Sequence, residues 1–398
     1  MMPYTLKFTA SFLQRKIGIV MKSDILIIGG GIIGLSIARE LDLRGIERIT
    51  VLDKSNVGVE ASWAAAGMLA PSSETEKDDD FYRLCSASNR LYPQFADELL
   101  AQTGVVIEFD PSGTLYLAFN EHDLAEIESR YQAQNLVGIN ISKLDRAQIM
   151  ELEPNISSQV REGLLYPDDR QVENRKLLTA LQTYAKNAGI KIIENCEAAS
   201  IKLENGNAVG VLTNNGEFTA GHIIITTGAW TSLIKLEEAA MPFAVKPIRG
   251  QMMSFKAEAG LISKVIYSPR GYVLPRRDGR IITGATVEDA GFSNVTTEDG
   301  IALIKRNAAE ILPVTASLEA AEIWSGLRPM SGDGHPVLGG IPGINGVTVA
   351  TGHYRNGILL APLTAQLIAN SILDGENGGA IETFGPARLI SATSVAGN

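Results

Sequence analysis

The hydrophobic pattern is clearest near the start of the chain, where a short apolar run is followed by a stretch with helical periodicity. Residues 24–28, DILII, have the continuous apolar character of a buried parallel strand. Residues 34–45, GLSIARELDLRG, place apolar side chains at helical spacing and end at Gly45, a residue type that commonly terminates helices. A second apolar run, RITVLD, ends at Asp53. The pattern predicts a strand, a tight turn, a helix and a second parallel strand.

Later segments predict a second kind of sheet and a late return to the first. Residues 108–120 and 271–285 alternate apolar and polar side chains, as antiparallel strands do. Residues 222–230, HIIITTGAW, follow two turn signals, ENGN and NNGE, which indicates a meander that rejoins the parallel sheet. The apolar run at 347–350 leads through glycines into a helix from about Ala361. We therefore predict a mixed α/β fold.

Composition narrows the function classes. The chain has 398 residues, enough for two domains. Its formal charge of -10 and its isoelectric point of about 5.1 argue against nucleic acid or an anionic membrane as a partner, since both attract basic faces. Cys85 and Cys196 lack metal or disulfide spacing, which favours a cytoplasmic protein. No apolar run approaches the roughly 18 residues of a transmembrane helix. We interpret residues 1–20 as an extension or an upstream start rather than a targeting peptide.

The glycines between the first strand and helix indicate a dinucleotide site. Gly29, Gly31 and Gly34 fit GxGxxG, in which the first permits a sharp turn, the second lets the backbone approach a pyrophosphate, and the third allows close helix–strand packing. The helix N-terminus would face the phosphates. Asp53 follows about twenty residues later, where a carboxylate binds ribose hydroxyls. An acid there favours FAD or NAD over NADP.

The end of the chain favours the flavin. A nucleotide fold that begins at one terminus and closes with a strand, a glycine loop and a helix near the other is typical of a flavoprotein. The N-terminus of that last helix would stabilise the negative charge that collects on the flavin ring upon reduction. The small-residue segment VGVEASWAAAGMLAPSSE would let backbone lie against a flat ring, although it could equally be an ordinary loop.

From residue 24 to about residue 374 the chain resembles the FAD-dependent D-amino acid oxidase superfamily, most closely its glycine oxidase branch of thiamine biosynthesis. The resemblance rests on ordered motifs: SWAAAGMLAP, DDRQVENRKLLTAL, TTGAW, PIRGQM, GYVLPRRDGRIITGAT, WSGLRPMSGDGHPVLG and GHYRNGILLAP. It implies an FAD-binding Rossmann-like domain and an antiparallel-sheet substrate domain, both discontinuous. We place the first at 21–95, 160–245 and 322–380, the second at 96–159 and 246–321, and a tail at 381–398, of which the last stretch, LISATSVAGN, is expected to be disordered.

The resemblance also implies a set of residues around non-covalently bound FAD. Besides the three motif glycines and Asp53, these are Ile32, Ile33, Lys54, Ala61, Ser62, Ala66, Gly67, Met68, Val172, Gly228, His353, Tyr354, Arg355, Asn356, Gly357, Ile358 and Leu359. Val172 would bind the adenine side through its backbone. No cysteine lies in the C-terminal half, where related sarcosine oxidases attach flavin covalently.

For the substrate, the resemblance implies that Arg328 grips an amino acid carboxylate, that Tyr272 donates a hydroxyl to it and that Arg355 lies nearby. The histidines His335 and His353 are interpreted as structural. At Val287 the family leads us to expect a longer, methionine-like side chain beside the cavity. The acidic segment SETEKDDD is interpreted as a solvated turn or helix start, although in this family it borders the active-site entrance and could act as a lid.

The reaction implied is oxidative deamination of glycine, sarcosine or a small D-amino acid by hydride transfer to flavin N5, with release of hydrogen peroxide and hydrolysis of the imine to glyoxylate and ammonia. The imine would serve thiazole synthase, and the assembly would be a homotetramer. Sarcosine oxidase and D-amino acid dehydrogenase are the alternatives within the enzyme class. A flavoprotein subunit that mainly docks a partner, or an NAD-binding module, would be a different class.

Overall fold

The computed structural model describes residues 21–75 and 77–390. The predictions for residues 1–20 and for the last eight residues of the tail lie outside this part of the chain. Within it, helices occupy α1 Ile32–Leu43, α2 Ala61–Ala64, α3 Asp80–Thr103, α4 Glu121–Leu136, α5 Arg146–Leu152, α6 Asn174–Asn187, α7 Glu298–Ile311, α8 Gly357–Leu373 and α9 Ala380–Thr383.

The strands are β1 Met21–Ile28, β2 Ile49–Leu52, β3 Met68–Leu69, β4 Thr114–Ala118, β5 Ser142–Asp145, β6 Glu162–Tyr166, β7 Arg170–Gln171, β8 Lys191–Ile193, β9 Ala198–Glu204, β10 Asn207–Thr213, β11 Gly216–Ile225, β12 Lys235–Leu236, β13 Val245–Lys256, β14 Val265–Ser268, β15 Gly271–Pro275, β16 Arg280–Gly284, β17 Ala320–Ser331, β18 Val337–Gly340 and β19 Val347–Thr351. Short 3₁₀ helices lie at Gly228–Leu233, Pro313–Ala316 and Pro386–Leu389.

The first sheet has a parallel centre. β1 pairs in parallel with β2 and β11, and β11 pairs in parallel with β19. Ile25 and Ile27 of β1 pack against the layer of α1, α3, α6 and α8, while Leu26 and Ile28 pack into a separate core on the opposite face. Both faces of β1 are therefore covered, which explains its uninterrupted apolar sequence.

The second sheet is largely antiparallel, in the order β17-β13-β16-β15-β14-β4-β6-β5. Its longest pair, β13 with β17, places Ile248 opposite Arg328. β15 pairs with β16 so that Tyr272 faces Gly284. Ile281 and Met253 of this sheet pack with Ile304 and Ala308 of α7 in a core of their own. The mixed α/β fold with a parallel and an antiparallel sheet is the one predicted.

Strand pairing differs from the predicted domain limits at two places. β6 and β17 fall within segments assigned to the FAD-binding domain, yet both hydrogen-bond within the second sheet, β6 to β4 and β17 to β13. The start of the predicted tail is ordered as well: Ile381 and Phe384 are only 5% and 4% exposed and pack into the helix-covered core. The limits themselves remain a prediction.

No helix in the described ranges is long and apolar enough to cross a membrane. The carboxyl ends of β1, β2, β11 and β19 meet at one edge of the first sheet, which is where open α/β sheets bind ligands. Strands β13, β15 and β17 of the second sheet border the same space.

Candidate active site

A large cleft lies between the two sheets. Its empty volume is about 1730 Å³, counting the open mouth. Residues at the ends of the parallel strands line it, including Ile28, Leu52, Thr226 and Thr351, and Arg328 lines its other side. The cleft is thus large enough for a dinucleotide together with a small substrate, and it joins the two groups of residues predicted from the sequence.

The glycine turn is built as the motif predicts. Gly29 has φ +109°, and a Cβ at Gly34 would lie 2.0 Å from the Gly29 carbonyl oxygen, so neither position accepts a side chain. Helix α1 begins without a side-chain cap, and the Ile32 N–H donates to Ser62 Oγ at 3.0 Å. Gly31, Ile32 and Ile33 line the cleft. A helix start whose own N-cap residue, Gly31, makes no capping bond and which opens on the cleft fits a pyrophosphate.

Asp53 stands beside this turn. One carboxylate oxygen accepts the Gly30 N–H at 2.8 Å and the other accepts the Ser55 N–H at 2.9 Å. Burial raises the pKa of Asp53, and these amide bonds oppose the shift. The oxygen that accepts from the Ser55 N–H also accepts from the Ser55 hydroxyl at 3.2 Å, so the oxygen bound to Gly30 is the one that keeps a further lone pair for a ribose hydroxyl. Lys54 lies 3.9 Å from the Trp230 ring centre and pairs with Glu60 at 2.6 Å, so its charge is already compensated.

Three residues predicted at the cofactor do not line the cleft. Gly34 lies behind the turn, and Leu359 is buried in α8 with its carbonyl accepting from Ser88 Oγ. Val172 is fully buried, and its N–H donates to the Gly67 carbonyl at 2.9 Å, so it is committed to the protein. The segment Cys196–Ala198 lines the cleft instead. Its place at the start of β9, next to Asp53 across the sheet, could not be read from its composition.

Ala66, Gly67 and Met68 form a floor of the cleft that is held by a buried arginine. A Cβ at Gly67 would lie 2.1 Å from the Val172 carbonyl oxygen, so the backbone packs tightly there. Arg276 is 5% exposed and donates to the Ala66 carbonyl, and burial lowers its pKa to about 10. Sequence reasoning missed Arg276, because nothing in PRRDG distinguishes a buried arginine from a surface one.

Helix α8 begins at the opposite wall of the cleft. Its N-cap, Asn356, makes no side-chain cap bond, and Gly357 and Ile358 line the cleft. Pro362 within the helix has no N–H for the Ile358 carbonyl, and the Tyr92 hydroxyl of α3 donates to that carbonyl instead. The helix start is thereby fixed by α3 while its free amides remain available to the cleft.

His353 precedes α8 and is fully enclosed. Its Nε2 lies 3.1 Å from Thr364 Oγ1, and burial lowers its pKa to about 3. The imidazole is therefore neutral at physiological pH, but a pKa so far below the operating pH makes it too weak a proton acceptor to serve as the general base. The other tempting histidine, His335, stacks on Phe81 with ring centres 4.7 Å apart and does not line the cleft.

Arg328 is the residue predicted to bind the substrate carboxylate. It is partly buried, its Nη1 donates to the Thr286 carbonyl at 3.0 Å, and its guanidinium rests on Gly250, where a Cβ would lie 2.1 Å from Nη1. Burial lowers its pKa below the ordinary range. No carboxylate of the described residues forms an ion pair with it. A desolvated arginine without an anion favours binding of one from outside.

Tyr272 lies beside Arg328 and is 7% exposed. Its hydroxyl oxygen lies 3.7 Å from Met252 Sδ, and burial raises its pKa to about 12. The phenol therefore stays protonated and can donate a hydrogen bond. Tyr267 stacks on it with ring centres 6.2 Å apart, and that stack fixes the ring plane.

Arg355 differs from Arg328 in having an internal partner. Its Nη2 donates to Glu74 Oε1 at 3.0 Å and to the Tyr267 hydroxyl at 2.8 Å. The Glu74 charge is the largest cause of a raised Arg355 pKa. Tyr354 has φ +47°, a strained backbone for a non-glycine residue, and it orients the loop that carries Arg355. Sequence reasoning noted the acidic segment but did not single out Glu74.

Val287 does not approach the cavity. Its side chain is 62% exposed and it is absent from the lining of the cleft. The thiols of Cys85 and Cys196 are buried, and burial raises the pKa of both. Neither has the lowered pKa of a nucleophile.

A family model described as FAD dependent oxidoreductase matches residues 24–371. The chain belongs to this family. Its cofactor is FAD, as predicted, and the bare glycine turn, Asp53 and the uncapped start of α8 fit that group. The resemblance stated from the motifs is confirmed.

Individual relatives agree with this assignment. The chain is 36% identical over 379 residues to the bifunctional protein ThiO/ThiG of Synechocystis sp., covering 94% of this chain and 55% of that protein. It is 32% identical over 374 residues to the glycine oxidase of Geobacillus kaustophilus, covering 94% and 98%. The crystal structure of glycine oxidase from Geobacillus kaustophilus superposes with a TM-score of 0.87 at 30% identity, covering 94% and 99%. The chain thus spans about half the length of the ThiO/ThiG relative.

Proposed function

We propose that this FAD dependent oxidoreductase is an oxidase of glycine and other small amino acids. The observation that carries the proposal is Arg328, a desolvated guanidinium in the cleft that no carboxylate of the described residues neutralises. The glycine oxidase names of relatives that match along nearly their whole length support the same reaction.

The protein's own contribution is to bind and orient the substrate. Arg328 offers a planar fork to the substrate carboxylate, and the Tyr272 hydroxyl donates a further hydrogen bond. Held at its carboxylate, a small amino acid presents its α-carbon to the part of the cleft bordered by Met68 and the start of α8. Orientation of this kind supplies a large share of the catalytic effect.

When bound, FAD would accept the hydride that leaves the substrate α-carbon while the amine gives up a proton, and molecular oxygen would take up the two electrons and two protons as hydrogen peroxide. The substrate amine must be neutral to form the imine. The apolar lining favours that form because desolvation lowers the pKa of an ammonium group. Water then hydrolyses the imine, and glycine gives glyoxylate and ammonia.

A visible spectrum of the FAD-loaded protein tests the reaction. Anaerobic glycine should bleach the flavin bands, and air should restore them with release of hydrogen peroxide. If sarcosine or a D-amino acid bleaches the flavin and glycine does not, that compound replaces glycine as the proposed substrate. Flavin that stays reduced in air would indicate a dehydrogenase, and flavin that no small amino acid reduces would reject the proposal in favour of a partner-docking role.

Arg328→Ala tests the carboxylate clamp. Truncating one side of a buried charged contact costs about 2–5 kcal/mol, so the glycine concentration for half-maximal bleaching should rise roughly 30-fold or more with FAD still bound. Arg161→Ala is the matched control, since it removes a surface guanidinium paired with Glu121. An unchanged glycine requirement in Arg328→Ala would reject the clamp.

We further propose that the imine supplies thiazole synthase in thiamine biosynthesis, that the active assembly is a homotetramer, and that it works in the cytoplasm. The name of the bifunctional ThiO/ThiG relative supports the first point. Transfer of ¹⁵N from labelled glycine into the thiazole product of a mixed reaction would test it. Light scattering of the purified protein would test the assembly.

A further inference from the structure

The two arginines of the substrate side differ in charge compensation. Arg328 has no carboxylate partner among the described residues, whereas Arg355 is paired with Glu74 at 3.0 Å. Arg328, Arg355 and Glu74 all line the cleft. Taken together, these three side chains carry one net positive charge, which matches a substrate with one carboxylate.

Glu74 is enclosed more than the arginine it contacts. Its side chain is 19% exposed, against 35% for Arg355. The Tyr267 hydroxyl lies 2.8 Å from the same Arg355 nitrogen, and Tyr267 in turn stacks between Tyr116 and Tyr272. The ion pair therefore packs against the stacked tyrosine rings at the substrate end of the cleft and does not lie in open solvent.

The backbone that carries Glu74 is firmly held. Asp169 is fully buried and accepts the N–H groups of Ser72 and Ser73 at 3.0 and 3.1 Å. Arg130 and Gln134 of α4 each donate to two carbonyls of the segment 72–75, at distances from 2.8 to 3.1 Å. A solvated turn would not need six such bonds, and their effect is to fix where the Glu74 carboxylate stands.

We propose that Glu74 determines specificity by neutralising Arg355, so that the cleft accepts substrates with one acid group and disfavours those with two. This inference deepens the proposed function and rests on it. A second acid group would have to lie near Arg355, where the Glu74 carboxylate already pairs with the guanidinium through Nη2 and its charge repels another anion.

Two ligands that differ by one carboxylate allow the effect of Glu74 on binding of a second acid group to be measured. Methoxyacetate has one acid group, and diglycolate is the same molecule with a second carboxylate in place of a methyl hydrogen. Neither carries an amine to oxidise, so binding to the FAD-loaded protein can be followed as a perturbation of the flavin spectrum. The measured quantity is the dissociation constant of diglycolate divided by that of methoxyacetate.

Glu74→Gln should lower this ratio by at least about tenfold, because it releases the Arg355 charge with little change of shape. Asp78→Asn is the matched control: it removes a carboxylate that pairs with Arg83 on the surface of the same segment, and it should leave the ratio unchanged. Glu74→Asp, which keeps the charge, should stay close to the wild type.

Arg355→Gln gives the opposite prediction and does not depend on the folding of the Glu74 variant. It leaves the Glu74 carboxylate unpaired, so the ratio should rise at least about threefold. The decrease of the ratio caused by Glu74→Gln should disappear in the double variant that also carries Arg355→Gln.

The outcomes separate the two proposals. In one outcome, methoxyacetate binds the wild type and binds Arg328→Ala more weakly, but the ratio of dissociation constants is the same in Glu74→Gln as in the wild type. This outcome overturns the role of Glu74 and leaves the carboxylate clamp intact. Methoxyacetate that does not bind the wild type, or that binds Arg328→Ala equally well, overturns both.

Discussion

The glycines of the turn could be predicted from the sequence, because each is required by contacts within the turn itself. The spacing of Gly29, Gly31 and Gly34 is enough to place the turn, and the structure has the close contact that Gly34 requires. Arg276 is the opposite case. Its importance comes from burial beneath Ala66, which depends on a fold that brings residues 66 and 276 together.

Gly34→Ala should abolish FAD binding or weaken it severely. The added Cβ would lie 2.0 Å from the Gly29 carbonyl oxygen, a backbone atom that cannot move without opening the turn. FAD content after purification and the melting temperature both report the change. Gly378→Ala, a position with no atom within 4 Å of an added Cβ, serves as the control. Full FAD occupancy in Gly34→Ala would contradict the prediction.

The second prediction at this scale concerns pH. His353 is neutral because burial lowers its pKa to about 3, and Tyr272 is protonated because burial raises its pKa to about 12. Neither side chain changes its protonation between pH 6 and 8, whereas the substrate amine must lose its proton before it can form the imine.

The kcat/KM for glycine should therefore rise about tenfold per pH unit between pH 6 and 8, without an acid–base limb near 6.5. Initial rates of peroxide release measure it. A bell-shaped profile centred near neutrality would instead require a general base in the cleft.

At the scale of elements, β1, α1 and β2 were readable because a parallel strand covered on both faces and an amphipathic helix leave distinct periodicities. β6 and most of β17 pair within the second sheet although the predicted limits place them in the FAD-binding segments, because a strand's partner is set by pairing with residues far along the chain. The start of α8 is held by its neighbour α3, because the Tyr92 hydroxyl donates to the Ile358 carbonyl that Pro362 leaves without an N–H. Neither segment alone indicates this hydrogen bond.

The segment around α9 contributes to the core although its sequence resembles a tail. Phe384 is 4% exposed there, so Phe384→Ala should lower the free energy of unfolding by about 3–5 kcal/mol. Urea unfolding followed by tryptophan fluorescence measures the loss. Phe292→Ala, at a phenylalanine that is 45% exposed, should cost much less. Equal losses in the two variants would place α9 outside the core.

At the scale of the whole molecule, the sequence predicted two sheets and a cleft between them but not the charge balance of that cleft. The motifs lead to Arg328 and Arg355, whereas Glu74 acquires its meaning only when α4 and Asp169 hold its segment against Arg355. Val172 and Cys196–Ala198 illustrate the same limit, since which of two buried segments faces the cofactor is decided by how the strands assemble.

Stability in acid also belongs to the whole molecule. Burial lowers the pKa of His222 to about 4, and its Nε2 lies 2.8 Å from Thr348 Oγ1 across β11 and β19. Between the ordinary histidine value of about 6.5 and pH 4, the unfolded chain binds a proton that the folded chain does not. The free energy of unfolding should therefore fall as pH falls through this window.

His222→Gln keeps a hydrogen-bonding group and does not titrate, so its free energy of unfolding should fall less between pH 7 and 5. The difference between the two proteins should grow by at most about 1.4 kcal/mol per pH unit. Urea titrations at both pH values measure it. Parallel losses in the wild type and the variant would show that His222 titrates alike in the folded and unfolded chain, so that burial does not lower its pKa.

The walls of the cleft come from segments as far apart in the chain as Ile28 and Ile358, and this has a consequence for synthesis. When a ribosome has completed the first 300 residues, the glycine turn and Asp53 exist, but Arg328 and the start of α8 do not. A nascent or prematurely cut chain of that length lacks the wall of the cleft that Arg328 and the start of α8 form. Closure of the cofactor site therefore waits for the synthesis of residues 326–358, and a chain cut after residue 300 should not retain FAD.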